Sequence, residues 1–113
     1  MPTAEELVRR QFEAYNARDL ARFMECFSDT ITTYRLPALE PALSGKKALA
    51  DFYATQRFNR PALRAELLNR TLLGNKVFDH ERIWGVTEEP IEMVAVFEVH
   101  AGLIQTIWGF SPK

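Results

Sequence analysis

The sequence predicts one α+β domain over residues 1–113, in which helices precede a largely antiparallel sheet. Near the N-terminus, apolar residues repeat at helical spacing, with Val8, Phe12 and Tyr15 on one stripe. From about residue 63 onward, four β-rich segments follow one another with short turns between them, as in successive hairpins. A chain of 113 residues is large enough to bury one core. The predicted element order is ααβαββββ.

The first two helices and the first strand have recognisable boundaries. Thr3 and Glu6 form a capping box ahead of the first helix, and Asp19 is a typical N-cap for the second. We expect the second helix to end at Ser28-Asp29. Residues 30–36 are β-branched and aromatic, which predicts the first strand.

The remaining elements follow a proline-containing loop. Two prolines predict a loop over residues 37–44, because proline does not continue a central strand. A third helix is expected to start at Ser44-Gly45. The predicted strands that close the domain span about residues 63–73, 76–86, 91–99 and 103–110.

Composition and charge exclude several classes of protein. A net charge of −1 gives no footprint for nucleic acid or for a membrane surface. Cys26 is the single cysteine and there are two histidines, so the sequence offers neither an intrachain disulfide nor a zinc signature. The opening residues lack the basic start and apolar run of a signal peptide, so we expect none, and no apolar run approaches about 18 residues. We therefore expect a cytoplasmic protein with no metal, no cofactor, no nucleic-acid partner and no membrane partner.

Residues 74–85 combine a hairpin turn, a strand and clustered acid–base groups. Gly74-Asn75 is turn chemistry, because both residues tolerate positive φ. On the strand that follows, Asp79, His80 and Glu81 are consecutive, and a strand sends neighbouring side chains to opposite faces. Each face therefore mixes apolar and ionisable groups, which is typical of a pocket with a few polar groups.

A two-residue turn at this hairpin fixes the register of its two strands. The predicted cross-strand pairs are Asn69 with His80, Arg70 with Asp79, and Leu68 with Glu81. A charge pair with Arg70 is the structural alternative for Asp79, and a hydrogen bond to Asn69 is the alternative for His80.

The predicted strand over residues 91–99 has one apolar face and one mixed face. The mixed face carries Val94 and Val96 between two glutamates, and such a face often continues into an apolar patch used for self-association. We therefore predict a homodimer packed sheet to sheet.

The chain resembles the nuclear transport factor 2-like superfamily, and within it the SnoaL-like and ketosteroid-isomerase-like branch. The residues that carry the resemblance are 12–20, 26–29, 44–49, 52–53 and 97–104. The resemblance implies a single SnoaL-like domain with a cone-shaped fold, in which three N-terminal helices pack on a curved mixed or antiparallel sheet. It also implies an apolar pocket between the helices and the sheet.

The same resemblance argues against an authentic ketosteroid isomerase. Those enzymes use a tyrosine, a proton-moving aspartate and a neutral sheet acid. In this sequence the corresponding positions fall on Gln11, on or beside Arg35, and on Ala95. Arginine and alanine cannot replace the two acids, although Arg35 can still bind a carboxylate or an enolate oxygen.

The sequence does not decide which face of the predicted strand 76–86 points inward. Alignment to the family places Asp79, Glu81 and Ile83 inward, whereas hydrophobicity favours Phe78, His80 and Trp84. A slip of one residue exchanges the two answers. Trp108 should face the pocket if the last hairpin has a two-residue turn, and the outside if Gly102 forms a bulge.

The sequence thus predicts a protein with a pocket for a hydrophobic, cyclic small molecule. Its chemistry would be cofactor-free proton transfer of an isomerase, cyclase or hydratase type; the alternative is a non-catalytic ligand-binding or dimerisation module. The candidate catalytic residues are His80, Glu81 and Asp79. The candidate pocket residues are Gln11, Tyr15, Tyr34, Arg35, Tyr53, Trp84, Ala95, Phe97 and Trp108.

Overall fold

A computed structural model describes residues 1–112 and confirms the α+β class. Its helices are α1 (Ala4–Ala17), α2 (Leu20–Met24) and α3 (Lys46–Gln56). Its strands are β1 (Phe27–Arg35), β2 (Leu43–Ser44), β3 (Arg64–Leu73), β4 (Lys76–Trp84), β5 (Ile91–His100) and β6 (Leu103–Phe110).

The predicted N-caps are confirmed by their hydrogen bonds. The Thr3 hydroxyl accepts from the Glu6 backbone N–H at 3.1 Å, and the Asp19 carboxylate accepts from the Arg22 backbone N–H at 3.1 Å. These bonds satisfy N–H groups that the first turn of each helix leaves without an intrahelical partner.

Two predicted boundaries are wrong. Helix α2 ends at Met24 rather than at Ser28-Asp29, because Phe27 is the first residue of β1 and pairs with Ile104 on β6. The predicted loop over residues 37–44 contains the short strand β2, which pairs antiparallel with β1. In both places a partner distant in sequence overrides the local pattern.

The six strands form one mixed sheet with the order β2-β1-β6-β5-β4-β3. Every neighbouring pair is antiparallel except β1 and β6, which are parallel. Helix α1 packs against β3 to β6 and α3 against β1 and β2. The core between these layers includes the fully buried Phe23, Phe27, Ile31, Leu49 and Ile104.

The register of the β3–β4 hairpin is confirmed at two of its three predicted pairs. Asn69 lies opposite His80 and Arg70 opposite Asp79. Glu81, however, pairs with Leu67 instead of Leu68, because the ladder shifts by one residue between Leu67 and Asn69. Leu68 is the extra residue of this β-bulge, and the bulge changes which residues of β3 before it lie opposite those of β4.

The inward face of β4 is the one that alignment to the family indicates. Asp79 is fully buried, and Glu81 and Ile83 are 7% and 6% exposed. The alternative based on hydrophobicity is wrong, since Trp84 lies on the opposite face and is 36% exposed. Two inward carboxyl groups on a buried face require partners or neutralisation, as described below.

Trp108 also lies on the outward face, although the length of the turn in the last hairpin predicted the opposite. The last hairpin has a two-residue turn, with His100 opposite Leu103, which was expected to turn Trp108 inward. A register shift then makes Gln105 an extra residue of β6, so Trp108 pairs with the outward Val96. A single bulge reverses every later side chain on the strand.

None of the helices in the described part of the chain is long and apolar enough to cross a membrane.

Candidate functional site

A cavity of about 430 Å³ lies between the helices and the inward face of the sheet. Its floor is formed by side chains that are almost completely buried: Gln11, Tyr15, Glu81, Ala95 and Phe97. Its mouth is bordered by exposed lining residues: Arg35, Ala42, Phe110 and Ser111. Most of the lining is aliphatic or aromatic, which is typical of a site for a small apolar molecule.

The structure brings most of the predicted site residues to this cavity. Those that line it are Gln11, Tyr15, Tyr34, Arg35, Tyr53, Glu81, Ala95 and Phe97. Those that do not line it are Asp79, His80, Trp84 and Trp108. The ring of Tyr34 is turned toward the outside, where it stacks on Trp108 at 6.4 Å between ring centres.

His80 lies on the outward face of β4, away from the cavity. Its Nε2 atom is 2.7 Å from a carboxylate oxygen of Glu92, and Asn69 instead donates to Thr71. Both ideas about His80, a catalyst in the pocket and a partner of Asn69, therefore disagree with the structure. The strand alternation that brings Glu81 inward necessarily takes His80 outward.

Trp84 belongs to the same outward surface. Its Nε1–H donates to Glu66 at 3.2 Å, and the guanidinium of Arg64 lies 5.5 Å from the centre of its ring. The indole is therefore held by surface polar groups and is not a platform for a ligand in the cavity, contrary to the prediction.

Asp79 is buried in an ion pair behind the cavity. Arg70 donates to both of its carboxylate oxygens, at 2.7 Å and 2.9 Å. This bidentate pair confirms the predicted cross-strand contact and supplies the partner that a fully buried carboxylate requires. Arg70 binds both oxygens of Asp79, and Asp79 acts on Glu81 through its charge and through a side-chain hydrogen bond.

Glu81 is the ionisable group on the cavity floor. Burial, and secondarily the negative charge of Asp79 two residues earlier on the same face, raise the pKa of Glu81 to about 8. Arg70 opposes this shift, but its charge is already directed at Asp79. A carboxyl group with such a pKa holds its proton at neutral pH and can both donate and accept one.

Two tyrosines supply further polar groups. Burial raises the pKa of Tyr15 and of Tyr53, so both hydroxyls stay protonated over the physiological range. The Glu81 charge acts on both hydroxyls. The rings of Tyr15 and Tyr53 are 6.2 Å apart in an edge-on arrangement. The two phenols are therefore hydrogen-bond donors available near the same carboxyl group.

Gln11 carries an unsatisfied acceptor at the cavity. Its Oε1 atom is buried and has no hydrogen-bond partner among residues 1–112. An unpaired buried amide oxygen costs free energy, so a polar group of a ligand that reaches it would be favoured.

The sequence pattern missed Arg57 as a site residue. It directly follows α3, lines the cavity, and places its guanidinium 4.9 Å from the centre of the Phe52 ring. The available signal was the excess of basic residues between positions 46 and 76, which does not say which of them point to a pocket. In the described part of the chain, no three His, Cys, Asp or Glu side chains cluster as a metal site would.

Comparison of the sequence with protein families identifies the family of this chain. The family model described as a SnoaL-like domain matches residues 8–107, so the chain belongs to this family. No curated protein matches significantly.

Several solved structures share the fold. An uncharacterised cystatin-fold protein from Novosphingobium aromaticivorans has a TM-score of 0.86 at 19% identity, covering 96% of this chain and 98% of its own. A protein from Kribbella flavida, provisionally assigned as a ketosteroid isomerase, has a TM-score of 0.83 at 17% identity and coverages of 97% and 78%. One from Jannaschia, provisionally assigned as a SnoaL-like polyketide cyclase, has a TM-score of 0.81 at 17% identity and coverages of 96% and 85%. These likenesses confirm the predicted fold, and the match to the SnoaL-like model confirms the predicted family.

Proposed function

We propose that this SnoaL-like domain holds a hydrophobic cyclic compound in its cavity and transfers a proton with Glu81. The observation that carries the proposal is the buried Glu81 carboxyl on the cavity floor, whose pKa is raised to about 8. A general acid–base group is most effective when its pKa lies near the working pH.

The groups around Glu81 support this role. Tyr15 and Tyr53 line the same cavity as protonated phenols and can donate hydrogen bonds to an oxygen on which negative charge develops. The cavity volume of about 430 Å³ lies in the range usual for small-molecule sites. A proton moved between carbon and Glu81, with a carbonyl oxygen held by the phenols, is chemistry that these side chains can perform.

Two solved structures with this fold support a cyclic substrate, whereas the residues of this cavity do not fit a steroid isomerase. These two are provisionally assigned as a ketosteroid isomerase and a polyketide cyclase. Gln11, Arg35 and Ala95 line the cavity here, at the positions where the resemblance places the isomerase residues. None of the three is an acid, so the proton must be carried from Glu81 on β4 instead.

Hydrogen–deuterium exchange tests the proposal without knowledge of the natural substrate. A panel of cyclic ketones is incubated with the protein in D₂O, and deuterium incorporation next to the carbonyl is followed by NMR. We expect exchange with at least one ring class and its loss in Glu81→Gln, which keeps the size of the side chain. Glu92→Gln is the matched control, because Glu92 lies on the outward face and bonds to His80.

The pH profile separates a catalytic Glu81 from a structural one. If the unprotonated carboxylate removes the proton, the exchange rate rises with pH and levels off above a pH of about 8. Wild-type protein that exchanges no ketone, or a Glu81→Gln variant that exchanges as fast as wild type, would contradict the proposal.

We also propose that the outward face of the sheet forms a homodimer. Val94 and Trp108 are partly exposed on the outward face of β5 and β6, where Trp108 covers the buried strand neighbour Val96, and Phe110 on the same face is 44% exposed. An apolar patch of this kind on the outside of a sheet fits a second copy of the chain. Light scattering that finds only the 13.0 kDa monomer at micromolar concentration would refute this assembly.

A further inference from the structure

The cavity lining carries two positive charges, on Arg35 and Arg57, that form no ion pair within residues 1–112. We propose that the ligand is a cyclic carboxylate whose acid group binds Arg35 and Arg57 while its ring lies in the apolar interior. This inference rests on the proposed binding in the same cavity and names the chemical class of the compound.

The cavity lining has more positively charged side chains than negatively charged ones. Arg35 and Arg57 are the two cations among the lining residues, and Glu81 is the one carboxyl group. Glu81 is mostly protonated at pH 7, because burial raises its pKa to about 8. At neutral pH the lining therefore presents two positive charges and almost no negative charge, which favours an anion over a neutral compound.

The two guanidinium groups keep donors available. Arg57 donates one Nη1–H to the Gln56 carbonyl at 2.9 Å, and its guanidinium lies over the ring of Phe52. The backbone carbonyl of Arg35 accepts from the Ala38 N–H at 3.0 Å, but its guanidinium makes no hydrogen bond or ion pair with any residue of the range 1–112. A guanidinium carries five N–H donors, so both arginines retain groups that can bind a carboxylate.

The same two charges both act on Tyr53, a residue that lines the cavity. Arg57 and Arg35 both act electrostatically on the hydroxyl of Tyr53, where they oppose the rise in pKa that burial causes. Arg35 comes from the end of β1 and Arg57 from the end of α3, so the fold brings the two together from distant parts of the chain. The acid group of a ligand near Tyr53 would therefore be attracted by both charges.

The interior of the cavity fits the rest of such a ligand. Ile83, Ile91, Met93, Phe97 and Ile107 line it, which provides an apolar surface for a ring. With its acid group at the arginines, the compound would extend inward toward Glu81. The charged end then fixes the position of the carbon from which the proton is removed.

A matched pair of ligands tests the inference directly. Binding of 2-naphthoate and of its neutral analogue 2-naphthamide is measured by isothermal titration calorimetry at pH 7 and low salt. We expect the naphthoate to bind at least about tenfold more tightly, as a charge-assisted hydrogen bond implies. Arg35→Gln and Arg57→Gln should each weaken naphthoate binding about tenfold and leave naphthamide binding unchanged.

Arg10→Gln is the control for a general loss of positive charge. Arg10 is exposed on α1 and does not line the cavity, so its replacement should leave the binding of both compounds unchanged. Equal affinity for the two compounds, no binding of either, or an equal loss in Arg10→Gln would each overturn the carboxylate assignment.

Glu81→Gln separates this inference from the proposed proton transfer. If the variant binds naphthoate normally but the wild type exchanges no ketone protons, the acid–base role fails and the carboxylate site stands. If exchange depends on Glu81 but the two arginine variants bind naphthoate as wild type does, the carboxylate site fails and the acid–base role stands.

Discussion

The two faces of β4 carry similar residues in opposite environments. On the inward face, Glu81 is 7% exposed, sits beside the buried Arg70–Asp79 pair and holds its proton at neutral pH. On the outward face, His80 forms a hydrogen bond with Glu92 of the neighbouring β5, and their side chains are 39% and 48% exposed. Solvent screening makes the outward pair weak, whereas burial makes the inward charges strongly coupled. The position of a group in the sheet, rather than its residue type, determines its chemistry here.

The largest effect that separates the two faces should come from breaking the inward ion pair. Arg70→Met leaves the fully buried Asp79 without a partner and should lower the free energy of unfolding by about 3–5 kcal/mol. Urea denaturation measures this loss. The matched control is Arg82→Met on the outward face, where the ion pairs are 3.6 Å and 3.9 Å long, and about 1 kcal/mol or less is expected.

The double variant Arg70→Met/Asp79→Leu identifies the cause of that loss. It removes the buried charge together with its partner, so much of the stability should return. A double variant as unstable as Arg70→Met alone would show that packing, and not the unpaired carboxylate, dominates.

A smaller but distinctive effect should appear in the dependence of stability on pH. The pKa of Glu81 is raised from 4.5 to about 8 by folding, so between these values the unfolded chain has lost a proton that the folded chain retains. The stability that Glu81 contributes is therefore present at low pH and lost as the pH rises, by at most about 1.4 kcal/mol per pH unit. Above a pH of about 8 this contribution no longer changes.

Thermal unfolding of Glu81→Gln across the same pH range supplies the comparison. The amide does not ionise, so the curve for this variant should lack the decline that Glu81 causes in the wild type. Parallel curves for the two proteins would mean that the Glu81 carboxyl ionises as readily in the folded chain as in the unfolded one.

The smallest effect is expected from the outward pair. His80→Gln should change the free energy of unfolding by about 1 kcal/mol or less, because both partners are well exposed. Chemical denaturation together with the exchange assay described above provides the measurement. A His80→Gln variant that loses proton exchange would contradict the assignment of His80 to a face outside the cavity.

Local sequence patterns predicted most of the fold and part of the site. Cap residues, apolar periodicity and turn chemistry predicted three helices and the four closing strands, and the Gly74-Asn75 turn predicted the Arg70–Asp79 pair correctly. Glu81 was named as a candidate and lies on the cavity floor. The assembly, the absence of a cofactor and the cytoplasmic location stay predictions.

The errors all lie where tertiary contacts outweigh local preference. Residues 43–44 form a strand because they pair with the edge of β1, and no local sequence pattern predicts this strand. The bulges at Leu68 and Gln105 shift the ladders by one residue, and Gln105 is held there by side-chain contacts with Ser28 and Thr30. Such contacts link residues more than 70 positions apart, so a sequence window cannot detect them.

The sequence by itself determined the α+β class, the element order and the presence of clustered acid–base groups on one strand, because these depend on spacing and intrinsic propensity. Only the tertiary structure decided that Glu81 faces a cavity while His80 faces water. Only the tertiary structure could bring Arg35 and Arg57 to the lining of the same cavity. The physical reason is that a strand alternates with a period of two residues, so a single distant bulge or a single packing choice exchanges the inside and the outside.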